Sequence, residues 1–164
     1  MKAPRYYRYE EFEGKAQQLL AQYQQRFATP AIPEVPVDGI IESLLGLNLV
    51  YDNLARLFAC DDILGAINIH EGAIYVDTAL MPEQNPACEG RFRFTLAHEL
   101  GHWALHRFDV TPKEQGSLFR AEGNGHILCR KATRYEQREW QANQFAACLL
   151  MPAEPVHACW HAIT

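Results

Sequence analysis

The chain has 164 residues, 48% of them hydrophobic and 21% charged, which excludes wholesale disorder and predicts a single domain with one core. A formal net charge of −5 gives no broad cationic surface, so direct binding to nucleic acid is not expected. The sequence shows no secretory signal and no apolar run long enough to cross a bilayer, and its five cysteines form no CxxC pair. These features predict a cytoplasmic protein with reduced thiols and no membrane partner.

The N-terminal region predicts a helical arm. Residues 10–27 place apolar side chains at helical spacing, and the glutamines between them would face water. Three prolines between residues 30 and 36 break this pattern, because proline removes a backbone donor and restricts the residue before it. We therefore divide the chain into an N-terminal helical arm, residues 1–30, and a main domain, residues 31–164. Three tyrosines before the helix are interpreted as part of an ordinary flexible end: Tyr6, Tyr7 and Tyr9.

The segment after the prolines predicts a short helix and a small sheet. A helix is expected at residues 37–45, and Gly46 ends it before a strand in LNLVY, residues 47–51. In LGAINIHEGAIYVD, residues 64–77, apolar residues alternate on both sides of Glu71-Gly72, a pair typical of a hairpin turn. We expect a small antiparallel sheet that includes this hairpin.

Two longer helices follow, separated by a loop. Residues 91–108 contain no helix breaker except Gly101 and predict a helix. Residues 109–130 contain three glycines, and the length of this loop-like stretch suggests a functional cover or binding loop. Residues 133–151 predict a last helix, which two following prolines stop. The pattern as a whole predicts an α+β fold, with the small sheet packed against the two long helices.

The helix at residues 91–108 carries an HExxH motif in an otherwise largely apolar run. Residues four apart return to nearly the same face, about 6 Å further along the axis, so His98 and His102 can direct their rings at one point. This spacing is typical of two zinc ligands, and Glu99 lies about 100° round the helix, where its carboxylate can act as a general base. The alternative is a core helix whose histidines only form hydrogen bonds. Glycine costs about 1 kcal/mol in a helix interior, so Gly101 suggests a metal-site neighbour or the close approach of another backbone.

A catalytic zinc ion usually has three protein ligands, so a third is expected elsewhere in the chain. His106 lies about 12 Å of helical rise beyond His98 and cannot share one ion with it, so we assign His106 to the surface or to the support of a ligand. Glu139 falls within the apolar stripe of the last helix, where a metal would compensate its charge. Alternatively, Glu139 is exposed beside Arg138 at the edge of that stripe. Asn143, one turn further, can orient a ligand histidine by a hydrogen bond.

Two segments together resemble a known family. RFTLAHELGHWALH, residues 93–106, followed by EWQANQFAACLLMP, residues 139–152, is similar to the paired helices of the ImmA/IrrE family of zinc-dependent metallo-endopeptidases. The short helix, strand and hairpin upstream are also similar to that family, so the resemblance covers roughly residues 36–152. Some members carry a helix-turn-helix domain as well, for which we find no counterpart.

The resemblance implies a zincin-like domain with a defined set of site residues. Carried over by position, the zinc ligands fall on His98, His102 and Glu139, and the catalytic glutamate falls on Glu99. Many members have a second acidic residue where this chain has Gln141. That difference concerns the surroundings of the site and leaves its ligands unchanged.

The resemblance further implies an intracellular endopeptidase that cuts a regulatory protein, typically a DNA-binding repressor or an antitoxin-like partner. An alternative from another class is a zinc-containing module that binds or senses a regulator without cutting it. A purely structural zinc fits poorly, because structural sites are mostly closed by four cysteine or histidine ligands.

Two further features bear on substrate binding. His126, in the glycine-rich loop, is a candidate donor to the oxyanion, and the hairpin edge is a candidate surface for a peptide bound by strand addition. Ordinary solvated or packing side chains are the alternative for both. The remaining histidines and cysteines have no recognised ligand spacing and are not interpreted as a second metal site: His126 with Cys129, and His157 with Cys159 and His161.

Overall fold

The structure, a computed structural model, describes residues 5–28, 34–59, 61–109 and 132–163. These residues form six α-helices and a three-stranded sheet, with short π-helical and 3-10 turns between them. The helices are α1 (Tyr9–Phe27), α2 (Val37–Gly39), α3 (Leu54–Phe58), α4 (Glu89–His106), α5 (Ala132–Leu150) and α6 (Ala153–Ile163). The strands are β1 (Asn48–Asp52), β2 (Gly65–Asn68) and β3 (Ala73–Asp77). The predicted α+β class is confirmed. The predicted cover loop, with His126 and Cys129, lies outside the described residues except for Asp109.

The predicted helices are confirmed with their ends shifted by one or two residues. At the start of α1, the backbone N–H of Arg8 donates a hydrogen bond of 2.9 Å to the Glu11 carboxylate, which satisfies a donor that the helix cannot satisfy itself. The short helix expected after the prolines is α2, continued by a π-helical turn over Ile40–Leu44. Gly46 follows with φ +68° and ends it, as expected.

The sheet is mixed, so the prediction of an antiparallel sheet is wrong for one strand. β2 and β3 pair antiparallel, which confirms the hairpin, and Gly72 in its turn has φ +61°, a conformation that favours glycine. β1 pairs with β3 in parallel, so β3 is the central strand. The chain reverses direction twice between β1 and β3, which lets these two strands run the same way. Alternating side chains indicate that a strand has a buried face, but not which way its neighbour runs.

Gly101 lies where α4 packs closely against α5. A Cβ atom added to Gly101 would lie 3.0 Å from the carbonyl oxygen and 3.1 Å from the Cα atom of Ala142, tighter than nine in ten real Cβ contacts. The expectation that Gly101 admits another backbone is therefore confirmed. Because Gly101 directly precedes His102, this contact fixes the separation of the two helices where the HExxH motif lies.

The N-terminal residues pack against α5 and the end of α4. Phe12 and Ala16 of α1 are fully buried in the same core as Phe145 of α5. Tyr7 is 5% exposed, and its hydroxyl donates a hydrogen bond of 3.0 Å to the carbonyl oxygen of Leu105. The prediction of a flexible end is therefore wrong for Tyr7. Its partner is 98 residues away along the chain, a contact that no local sequence pattern reveals.

The sequence patterns do not predict α6, which begins directly after Pro152 and contains Pro155. Pro155 lies in the first turn, where its missing N–H would have no partner within the helix, so it is tolerated there. Pro152 ends one helix and the next begins at once. Within the described part of the chain, no helix combines the length and apolar character that crossing a bilayer requires.

Candidate metal centre

Two histidines of α4 and one glutamate of α5 meet where these helices pack together. His98 Nε2 lies 3.0 Å from Glu139 Oε2, and His102 Nε2 lies 3.2 Å from Glu139 Oε1. The two Nε2 atoms are 3.1 Å apart. Within the described residues, these three side chains form a group able to hold a metal ion, with ligand atoms within 4.8 Å of one another. The structure thus brings together the three side chains that the sequence analysis selected as ligands.

The site is partly buried but reachable from solvent. The side chains of His98 and His102 keep 16% and 13% of their exposure, and that of Glu139 keeps 29%. Both carboxylate oxygens of Glu139 face histidine nitrogens. The alternative in which Glu139 is simply exposed beside Arg138 therefore does not describe this structure.

The charges at this site favour a cation between the three side chains. Burial opposes ionisation of Glu139, but its hydrogen bonds with His102 and His98 outweigh burial and hold the pKa of its carboxyl well below the ordinary value. Burial also acts to lower the pKa of His98, yet the hydrogen bond with Glu139 and the charge of Glu99 raise that pKa above its ordinary value. The cation that satisfies this arrangement is either a proton or a metal ion.

Asn143 of α5 lies beside the outer nitrogen of His98. His98 Nδ1 is 2.9 Å from Asn143 Oδ1, so an N–H at Nδ1 can donate to the amide oxygen. This hydrogen bond leaves a lone pair on Nε2, which is the form that a metal ligand needs. The structure therefore places Asn143 where the sequence analysis expected a residue that orients a ligand.

His106 and Gln141 are buried behind His102. His102 Nδ1 lies 3.1 Å from His106 Nδ1, and His106 Nε2 lies 2.9 Å from Gln141 Oε1. His106 is 2% exposed, so it is not a surface residue, and of its two predicted assignments only the support of a ligand agrees with the structure. Burial, assisted by the charge of His102, lowers the pKa of His106 to about 3, so its ring is neutral near pH 7.

Glu99 is buried beside the first residue of β2. It is 7% exposed, and a Cβ atom added to Gly65 would lie 2.9 Å from Glu99 Oε1 and 2.5 Å from Thr95 Cγ2. A side chain at position 65 would therefore displace Thr95 and Glu99 or separate β2 from α4. Burial raises the pKa of Glu99 above its ordinary value, although the charges of His102 and His98 act in the opposite direction. A carboxyl whose pKa is raised toward neutrality is suited both to accept and to release a proton.

Residues 84–163 match a family model, Peptidase_M78, described as the IrrE N-terminal-like domain. This match covers just under half of the chain. The match confirms the resemblance found in the sequence: these residues are similar to a family of peptidases, which are hydrolases. It begins before α4 and ends with α6, so it includes the HExxH motif and Glu139. No curated protein matches the chain.

Sequence reasoning missed two features of this site. The first is the buried contact between His106 and Gln141, for which a signal exists, since His106 lies one turn from His102 on the same helix face. The second is the position of Gly65 against Glu99, for which an isolated glycine at a strand end gives no specific signal. Gly65 also lies outside the residues that the family model matches.

The side chains of this centre suit a divalent transition metal. Two imidazole nitrogens and one carboxylate oxygen form a set that zinc takes in catalytic sites, where one further position stays open. His98 and His102 both turn Nε2 toward Glu139 and Nδ1 toward another hydrogen-bonding atom. That orientation is typical of metal-bound histidine, so the donor set fits the metal that the sequence predicts.

Proposed function

We propose that this protein is a zinc-dependent endopeptidase with a zincin-like domain, in which His98, His102 and Glu139 bind zinc and Glu99 is the catalytic base. The observation that carries the proposal is the meeting of two imidazoles and a carboxylate from separate helices, next in sequence to a buried carboxyl. The match of residues 84–163 to a peptidase-family model supports hydrolysis of peptide bonds.

The residues of the site can share the work of peptide hydrolysis. Zinc, when bound, supplies a Lewis acid that polarises the peptide carbonyl and lowers the pKa of water to about 7. Glu99 takes a proton from the attacking water and returns a proton to the leaving amine. Its burial beside Gly65 favours the first step, because a raised pKa makes the Glu99 carboxylate a stronger base toward the proton of the water. His98, His102 and Glu139 hold the metal in place beside this carboxyl.

We further propose that the substrate is a regulatory protein of the cytoplasm, a DNA-binding repressor or an antitoxin-like partner. The support for this substrate class is the resemblance of the two site helices to the ImmA/IrrE family. A net charge of −5 gives no reason to expect that the protein itself contacts DNA.

Two expectations about substrate contacts stay predictions. His126, the candidate oxyanion donor, lies outside the described residues. The second is that an extended peptide adds to the hairpin edge. β2, an outer strand of the described sheet, begins at Gly65 beside Glu99, so such a peptide would lie near the catalytic base.

The test compares three zinc-loaded proteins: wild type, Glu99→Gln, and Glu89→Gln as a control. Glu89 is an exposed glutamate on the same helix, so its substitution matches the change in charge. Incubated with candidate repressors and antitoxin-like proteins, wild type and control should cleave one of them. Glu99→Gln should keep its zinc by metal analysis but cleave at least about 100-fold more slowly.

Two outcomes would contradict this function. Normal cleavage by Glu99→Gln would remove Glu99 from the role of general base. A partner that binds the zinc-loaded wild type and stays uncut would favour the alternative, a zinc-containing module that binds a regulator without cutting it.

A further inference from the structure

A line of hydrogen bonds runs from His102 into the N-terminal segment. His102 Nδ1 is 3.1 Å from His106 Nδ1, and His106 Nε2 is 2.9 Å from Gln141 Oε1. The side-chain Nε2 of Gln141 then donates a hydrogen bond of 2.7 Å to the backbone carbonyl oxygen of Arg5. The line joins α4, α5 and a segment that lies 136 residues before Gln141.

The Arg5 end fixes the direction of every hydrogen bond in this line. A carbonyl oxygen can only accept, so Gln141 must turn its NH₂ group toward Arg5 and its oxygen toward His106. The Gln141 oxygen can also only accept, so His106 must carry its proton on Nε2. A neutral imidazole with a proton on Nε2 has a lone pair on Nδ1, and His106 Nδ1 therefore accepts from His102 Nδ1.

The consequence reaches the candidate metal centre. With its Nδ1 proton committed to His106, His102 in its neutral form has its lone pair on Nε2, the atom that faces Glu139 and His98. A metal ligand needs this tautomer, and a ring with its proton on Nε2 would present a donor to the metal instead.

We propose that His106 and Gln141 are positioning residues that select the metal-binding tautomer of His102, and that the Arg5 carbonyl sets the direction of their hydrogen bonds. The proposal rests on the proposed function in one respect, since it takes His102 to be a metal ligand. It goes further in assigning roles to two buried residues that do not touch the metal, and in tying the N-terminal segment to the site.

The support of His98 offers a contrast within the same motif. Asn143 is exposed, and rotation of an exposed amide by 180° exchanges its oxygen for its nitrogen. Gln141 is 1% exposed, and the same rotation would turn its oxygen toward the carbonyl oxygen of Arg5, so the rotation is opposed. The direction of the supporting hydrogen bonds is therefore fixed for His102 but not for His98.

The first measurement locates protons on the ring nitrogens of metal-free wild-type protein by long-range ¹H–¹⁵N correlation spectra of its histidines. We expect a proton on Nε2 and none on Nδ1 of His106, and a proton on Nδ1 of His102. A proton on Nδ1 of His106 would overturn the proposal. This result depends neither on zinc nor on activity, so it stands apart from the test of the peptidase.

The second measurement is zinc affinity, by competition with a chelator, for His106→Leu, His106→Asn and Gln141→Met. Leucine removes the acceptor for His102 Nδ1, and we expect a loss of about 10–100-fold. Asparagine can place an amide oxygen near the former Nδ1 position, so it should recover most of that loss. Methionine at position 141 removes the oxygen that holds the His106 proton on Nε2, so both tautomers of His106 become accessible. We expect a loss of zinc affinity between those of the other two variants.

Two controls separate this proposal from a general loss of structure. His70 is an exposed histidine in the hairpin turn, and His70→Ala should bind zinc as wild type does. Far-ultraviolet circular dichroism and thermal unfolding of each metal-free variant show whether it folds. Wild-type affinity in a folded His106→Leu variant, or equal losses in the leucine and asparagine variants, would overturn the positioning role. Absence of zinc binding by wild type would instead contradict the proposed function.

Discussion

His98 and His102 are equivalent in the HExxH motif but differ in what holds them. The outer nitrogen of His98 contacts Asn143, which is exposed. The outer nitrogen of His102 contacts His106, which is 2% exposed and in turn contacts the buried side chain of Gln141. Water can replace a lost partner at an exposed hydrogen bond, but a buried donor without a partner costs about 1–3 kcal/mol. The spacing of a motif can therefore place two ligands in equivalent positions, while the fold gives one of them an exposed hydrogen-bond partner and the other a buried one.

The largest expected effect comes from Glu139→Ala, which removes the partner that both histidines share. Only two protein ligands would remain, so zinc affinity should fall by more than about 100-fold and the contrast between the histidines should disappear. The measurement is bound zinc after dialysis, with Glu154→Ala as the control because Glu154 is an exposed glutamate on α6. Retention of one zinc ion per chain by Glu139→Ala would show that a different residue is the third ligand.

The next largest effect is expected from Gly101→Ala, which should destabilise the packing of α4 against α5 and so disturb the positions of both histidines. The added methyl group meets the backbone of Ala142, and separating two packed helices should cost about 1–3 kcal/mol of unfolding free energy. Gly90→Ala is the matched control on the same helix, because an added Cβ there meets no described atom within 4 Å. Urea denaturation of the metal-free proteins measures the difference. Equal stability of the two variants would mean that the helix contact is more yielding than the structure indicates.

The pH dependence of stability should distinguish the two sides of the site. His106 titrates at about 3 in the folded protein instead of its ordinary 6.5, so between these values the unfolded chain binds a proton that the folded chain does not. This term therefore lowers stability as pH falls from 6.5 toward 3. The pKa of His98 is raised, so its term is present below 6.5 and is lost as pH rises through the folded pKa.

The measurement compares metal-free wild type with His106→Asn by denaturation at pH 7 and pH 5. Acidification should cost the wild type about 2 kcal/mol more than the variant, because each pH unit below 6.5 contributes about 1.4 kcal/mol. An identical pH response of the two proteins would contradict a buried, neutral His106. The His98 term is common to both proteins and cancels in this comparison.

The smallest effect is expected from Asn143→Ala. Water can reach the outer nitrogen of His98 once the amide is removed, so zinc affinity should fall by less than about tenfold. His106→Leu should weaken zinc more, and the ratio of the two losses measures the unequal support of the ligands. Isothermal titration with zinc under identical conditions gives both values. A greater loss in Asn143→Ala would reverse the comparison between the two histidines.

The sequence alone determined the local parts of this protein. Helical periodicity and the HExxH spacing depend on residues three or four apart, so α4, α5, His98 and His102 were identifiable without coordinates. Spacing left Glu139 open, and the resemblance to a known family selected it as the third ligand. The hairpin was equally visible, because a glycine turn and alternating residues are local signals.

The tertiary structure alone decided the direction of β1, the burial of Tyr7 and the surroundings of His102. Each of these depends on contacts between residues distant in the chain, such as the 98 residues between Tyr7 and Leu105 and the 136 between Arg5 and Gln141. No periodicity spans such separations, and the polarity of a side chain does not reveal its partner. Local spacing therefore identifies the two candidate histidine ligands, whereas the orientation of their rings follows from how the helices and the N-terminal segment pack.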